Sequence, residues 1–264
     1  MNTCAIVIPV YKAQLDDMEQ FSLDYSLAHL KPGRSLTFIA PVSLDMSYYL
    51  QRYPGVGVVR FPDVFFASIQ GYNRLLLNPG FYQHFIDHEF MLILQTDALV
   101  LKDELDEWCA LPYDYVGAPW PDGLEIMVNV DVFSGDMRKR VKTHVGNGGF
   151  SLRRNAKCIQ LLQEFPQATQ MFVHTGSSED IFFAILGSQS VDFVMPNERV
   201  AARFALELKP EHYHVINGGV APMGAHAWWR YNQAFWESLL DTAPPNPVGR
   251  DAPVAAEQEA GAMV

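Results

Sequence analysis

The stretch "FMLILQTDALVLKDEL", Phe90–Leu105, decides how the chain is read. It begins as an apolar run with the character of a β-strand, halts at Gln95-Thr96-Asp97, and resumes as Ala98-Leu99-Val100-Leu101. An aspartate inside such a run is costly to bury without a partner. It is tolerated where a strand ends at a site in which a carboxylate meets a metal ion or a polar ligand. In open parallel sheets, ligands bind beyond the carboxyl ends of the strands. The break therefore marks Asp97 as a candidate ligand-facing group, with a turn-capping role as the plain alternative.

Upstream, short β-rich runs alternate with longer helical ones. "CAIVIPV" reads as a strand bounded by Pro9, and "SLTFIAPV" and "GVGVVRF" as two more. Between the first two, Leu15, Met18, Phe21, Tyr25 and Leu27 recur roughly on one helical face. "DMSYYLQRY" is a short helix, and "FFASIQGYNRLLLNPGFYQHF" is mostly helical with breaks near Asn78-Pro79-Gly80. Strand and helix in alternation imply parallel strands joined by right-handed crossovers, a doubly wound α/β pattern. Pro9-Val10-Tyr11-Lys12, Pro41-Val42-Ser43, Phe61-Pro62-Asp63 and Gln95-Thr96-Asp97 all fall at strand exits that could line one cleft.

The second half is less regular. "YDYVGAP" reads as a short strand, and residues 122–144, without a clear period, as a loop or hairpin over a cleft. "VGNGGFSLRR" reads as a strand interrupted by small residues, followed by a helix over 155–165. "SSEDIFFAILG" carries a serine N-cap, acidic residues in its first turn and an apolar face. A last helix is expected from about Ala227 through "WWRYNQAFWESLL". Residues 243–264, rich in proline and alanine with few large apolar side chains, read as a disordered tail.

The 264 residues are 49% hydrophobic and 19% charged, with a formal net charge of -11. That length supports a sheet covered by helices, and the acidic balance argues against a nucleic-acid binder. Cys4, Cys109 and Cys158 lack metal-type spacing and read as reduced thiols of a cytosolic protein. The opening apolar run is short, lacks a basic leader and contains a proline, so it reads as a strand. No apolar stretch approaches the roughly 18 residues of a transmembrane segment. The expected location is cytoplasmic, with peripheral contact at the inner face of a membrane left open.

"AIVIPVYK" resembles the opening strand of nucleotide-sugar glycosyltransferases of the GT-A fold, and "LILQTDALV" is similar to the strand bearing their Asp-x-Asp metal motif. "YDYVGAPWP", "VGNGGFSLRR", "EDIFFA" and "GAHAWWRYN", in this order, resemble a glycosyltransferase-like family catalogued as a domain of unknown function, family 5672. The resemblance implies an α/β, GT-A-like fold: a Rossmann-type central mixed sheet flanked by helices. One domain over residues 1–242 is expected, with a nucleotide-binding half, 1–101, and an acceptor and catalytic half, 102–242. It implies transfer of a sugar from a nucleotide-sugar donor to a glycan or other hydroxyl acceptor, assisted by Mn2+ or Mg2+ and by inversion, with a retaining course left open.

The same resemblance assigns candidate residues. Asp97 matches the second aspartate of the metal motif, whereas position 95 is Gln, which could at most contact ribose or a metal-bound water. Late histidines often complete the metal site in such enzymes, which favours His226 over the pair His212 and His214; that pair reads as one face of an exposed strand. Asp180 is the expected base toward the acceptor hydroxyl and Glu179 an acceptor contact, although both are also ordinary first-turn residues. Pro9, Tyr11, Thr96, Asn73 and Arg74 are placed toward the nucleotide. Asn147, Gly148 and Gly149 are placed beside a sugar, where absent side chains let a ligand approach the backbone; a tight bend is the alternative. Arg153, Arg154 and Arg230 could pair with phosphate or with surface carboxylates. Trp120, Trp228 and Trp229 could stack on sugars or fill a core.

Two other functions compete. A nucleotidyltransferase would want a glycine-rich basic loop after the first strand, where "PVYKAQLDD" offers neither. A catalytically silent sugar-nucleotide or glycan-binding module is favoured by Gln95 and opposed by Asp97, Asp180 and His226.

Overall fold

The computed structural model describes residues 4–129, 138–242 and 244; the proposed tail lies, apart from Pro244, outside the described residues. In chain order, the first elements are β1 (Cys4–Pro9), α1 (Asp17–His29), β2 (Ser35–Pro41), α2 (Ser47–Arg52) and β3 (Gly57–Phe61). A 3-10 turn at Asp63–Phe65 leads to α3 (Ile69–Leu76), α4 (Pro79–Gln83), β4 (Phe90–Leu94) and β5 (Leu99–Val100). There follow α5 (Leu105–Cys109), β6 (Tyr115–Val116), β7 (Pro119–Asn129), β8 (Arg138–Val145) and β9 (Phe150–Arg154). The chain continues as α6 (Asn155–Glu164), α7 (Pro166–Thr175), α8 (Glu179–Gly187) and α9 (Glu198–Phe204). Last come β10 (Ala205–Leu206), α10 (Pro210–Ile216), β11 (Gly224–Ala225) and α11 (Gln233–Glu237).

Six strands form the central sheet in the order β3-β2-β1-β4-β9-β6. The first four are parallel, and β9 runs antiparallel between β4 and β6. Helices cover both faces, so the strands are apolar on successive residues and the period of two appears only in which core each residue enters. Ile6 and Ile8 of β1 with Phe90, Leu92 and Leu94 of β4 enter one cluster, which also takes up Leu23, Tyr49 and Trp108. Ala5, Val7, Met91 and Ile93 enter the opposite one, with Leu75, Phe81, Leu161 and Phe182.

The broken apolar run serves two sheets. β4 lies inside the large sheet, the chain turns at Gln95-Thr96-Asp97, where Ala98 N–H donates to Gln95 O at 2.9 Å, and β5 enters a three-stranded sheet ordered β10-β11-β5. That small sheet determines what faces the turn. Its register pairs Leu206 with Ala225 and Ala225 with Leu99. Glu207, His226 and Asp97, each one or two residues beyond those paired positions, therefore gather at one end.

β7 and β8 form the expected hairpin, whose tip lies outside the described residues. Three expectations need correction. The segment after His226 is not helical until Gln233, because Ala227 (φ 46°) and Asn232 (φ 56°) adopt the left-handed conformation that a right-handed helix excludes. His212 and His214 lie on helix α10, entered through Pro210 at its first position, and not on a strand. The exits of β2 and β3 bind each other and do not line the cleft: Asp63 accepts the Ser43 N–H at 3.0 Å, and Arg60 donates to the carbonyls of Pro41, Val42 and Leu44.

Candidate functional site

A cleft of about 500 Å³ opens at the carboxyl ends of β1 and β4. Pro9, Tyr11, Asn73, Gln95, Thr96 and Asp97 line it from the first half of the chain. Asn147, Gly148, Gly149, Glu179, Asp180, His226 and Arg230 line it from the second. Of the residues placed there from sequence, Arg74 is missing: it is exposed, and its Nε donates to the Val173 carbonyl at 3.0 Å. Arg154 is tied to Glu89 and Asp114. Trp228 is fully buried, donating to Ser22 at 2.9 Å, and belongs to a core with Trp236.

Asp97 and His226 meet across the turn. His226 Nε2 lies 3.4 Å from Asp97 Oδ1 and 3.2 Å from Gln95 Oε1, while Arg230 reaches Asp97 Oδ2 at 3.3 Å. His226 Nδ1 faces Glu207 Oε1 at 3.1 Å, and Glu207 in turn takes a hydrogen bond from the Asn147 amide. Burial alone would raise the Asp97 carboxyl, but the charge and hydrogen bond of His226, followed by Arg230, outweigh it and hold the group below its ordinary value. Burial alone would lower the His226 imidazole; Glu207 and then Asp97 outweigh it and push it up to about 10.

Glu207 was invisible to the sequence reading. Its strand is two residues long, too short to show a period. The usable signal is the rule that pointed to Asp97, a carboxylate directly after a strand.

The glycines have a steric cause. A Cβ on Gly149 would stand 2.0 Å from His226 Nε2, and one on Gly148 would stand 2.5 Å from Glu179 Oε1. These residues thus make room for side chains of the chain itself. Gly149→Ala should displace His226 and cost about 1–3 kcal/mol through overpacking; urea unfolding checks the stability, and Mn2+ titration checks the displacement.

Glu179 and Asp180 open helix α8, with Ser178 at the N-cap. Glu179 is buried; its Oε1 accepts from Arg153 at 3.0 Å, and its Oε2 has no hydrogen-bond partner. Arg153 is fully enclosed and also donates to the Ser151 and Tyr82 hydroxyls, so it is neither a surface partner nor a phosphate ligand. Asp180 is half-buried beside Glu179. Burial, then the Glu179 charge, push its carboxyl up to about 7, against the opposing Ile181 N–H bond.

Could the cleft hold a divalent cation? Two ligand atoms bound at right angles on Mg2+ lie about 3 Å apart. The separations from His226 Nε2 to Asp97 Oδ1 and to Gln95 Oε1 are close to that. Among the described residues no group of three His, Cys, Asp or Glu side chains could hold a metal. The donor set fits a cation that takes Asp97 and His226, with Gln95 beside them, and draws its other oxygens from a phosphorylated ligand and water.

A family model described as "Protein of unknown function (DUF5672)" matches residues 55–226. The chain belongs to this family. A search of curated proteins finds no match. Among solved structures, an active-site mutant of LgtC is similar over 91% of this chain and 97% of its own, with 16% identity and a TM-score of 0.53. The apo form of the glycosyltransferase GlyE of Streptococcus pneumoniae TIGR4 is similar over 91% of this chain, with 13% identity and a TM-score of 0.50. This chain spans 61% of the length of GlyE. At such identities the likeness is one of fold, and the fold is that of the GT-A glycosyltransferases. No helix among the described residues is long and apolar enough to cross a membrane.

Proposed function

We propose that this family member is a glycosyltransferase that moves a sugar from a nucleotide-sugar donor to a hydroxyl acceptor on a glycan or surface polysaccharide. One observation carries the reading: the Asp97–His226–Arg230 group and the carboxylates at the start of α8 line the same cleft at the strand ends.

In this reading Pro9, Tyr11, Asn73 and Thr96 receive the nucleoside. Arg230, exposed at the cleft edge, swings from Asp97 to a diphosphate oxygen, where a charge-assisted bond is stronger. Asp97 and His226 would hold Mn2+ or Mg2+, which supplies a Lewis acid for the departing diphosphate. Asp180, poised near neutrality, takes the proton of the acceptor hydroxyl as that oxygen attacks the anomeric carbon. One displacement then inverts the anomeric configuration. Glu179, which lines the cleft beside Asp180, favours a second course: a carboxylate next to the anomeric carbon suits a retaining reaction. The anomeric configuration of the product, read by NMR, separates the two.

The nucleotidyltransferase reading finds no phosphate loop after β1, since Asp16 and Glu19 are engaged in capping α1 and Lys12 in pairing with Glu19. A silent binding module differs from the enzyme in turnover. A panel of nucleotide sugars, with and without Mn2+, should release nucleoside diphosphate, and the release should vanish in Asp97→Ala. Tight nucleotide-sugar binding with no release under any metal or acceptor would establish the module instead.

A further inference from the structure

Glu207 stands behind His226 and outside the lining of the cleft. It is buried, and its contacts close a ring. The Asn147 amide donates to it, it faces His226 Nδ1 at 3.1 Å, and His226 Nε2 reaches Gln95 Oε1 at 3.2 Å. The Gln95 N–H donates to Gly149 O at 3.0 Å, and the Gly149 N–H returns to Asn147 Oδ1 at 3.2 Å. The ring is held from outside by the small sheet, in which His226 N–H donates to Leu206 O at 3.1 Å. An imidazole has only two nitrogens, and the bond made by one fixes what the other can do. With Nδ1 committed to a carboxylate, Nε2 is left facing Asp97, where a bound cation would take the place of its proton, and the carboxylate raises the basicity of the ring as a ligand.

We propose that Glu207 is a positioning residue of the cation site. It orients His226 and strengthens it as a ligand without touching the cation, and Asn147 orients Glu207. The inference rests on the reading of Asp97 and His226 as cation ligands. It assigns a task to "LELK" that neither the metal motif nor the fold supplies, and it explains why an amide at Asn147 sits inside a glycine run. A contact from Asn147 to sugar is then unnecessary.

The probe is Mn2+, alone and with inorganic pyrophosphate as a base-free source of diphosphate oxygens. Binding is followed by electron paramagnetic resonance and calorimetry on the full chain. Wild type should bind Mn2+, and Asp97→Ala should bind at background level. Glu207→Ala should bind roughly 10–100-fold more weakly than wild type. Glu207→Gln, which keeps an acceptor toward Nδ1 and loses the charge, should lie between them. Thermal midpoints distinguish positioning from folding: Glu207→Gln should melt near wild type while its Mn2+ affinity falls. If Glu207→Ala fails to fold, Glu207→Gln decides. Equal Mn2+ affinity in wild type and Glu207→Gln, with Asp97→Ala inactive in binding, overturns the positioning role alone. Wild type that binds no better than Asp97→Ala overturns the cation reading and this inference together.

Discussion

Asp180→Asn should lower kcat by roughly 100–10,000-fold on the donor that the nucleotide-sugar panel selects, because a positioned general base contributes about that much. The substitution keeps shape, and the backbone bond from Ile181 N–H at 2.7 Å can still reach an amide oxygen. KM for the donor should change little, since the proton moves only as the acceptor attacks. In the wild type, the rate should rise with pH through about 7, where the carboxylate becomes free to accept. Glu179→Gln should move that limb to lower pH, because burial remains but the neighbouring charge goes. Stability should move the opposite way to the rate. The folded carboxyl sits above its unfolded value of 3.8, so its favourable contribution is complete below that value and is lost as pH rises through about 7. Asp180→Asn should therefore gain stability relative to wild type at pH 8 and not at pH 4, as read by urea unfolding. A variant with full activity, or a rate indifferent to pH between 6 and 8, would remove Asp180 from the chemistry.

How much of this was legible in advance divides along the chain. β1 to β4 and their helices are long enough for apolar runs, periodicity and breaks to speak, and the polar interruption at Gln95-Thr96-Asp97 marked a turn into the cleft. The site was legible where a residue type breaks its surroundings: Asp97, the acidic start of α8, and the glycines. It was illegible where geometry depends on distant register. β5, β10 and β11 have two residues each, so the small sheet that sets Asp97, His226 and Glu207 together left no pattern. The left-handed Ala227 carries no glycine or proline signal, yet it separates His226 in the cleft from Trp228 in the core. Arg153 misled for another reason. From sequence it could pair with phosphate or with a surface carboxylate, but β9 lies between β4 and β6, and its arginine is enclosed by Tyr82, Tyr115 and Phe183.

That enclosure sets the other large effect. Arg153→Met should destabilise the protein by about 3–5 kcal/mol, because breaking a buried pair leaves the partner's charge uncompensated. The partner is Glu179, whose Oε2 already lacks a hydrogen bond, and the Tyr82 hydroxyl loses its donor as well. A loss of this size is a large part of the stability of an ordinary domain. Removing both charges, Arg153→Met with Glu179→Leu, should recover much of the stability, since replacing a buried pair by apolar groups is often neutral. It should not recover turnover if Glu179 contacts the sugar. Urea titrations of the four proteins of this cycle give the coupling directly. Additive effects would mean that Arg153 serves Tyr82 and the ring stack, and that Glu179 carries its charge toward the cleft without this support.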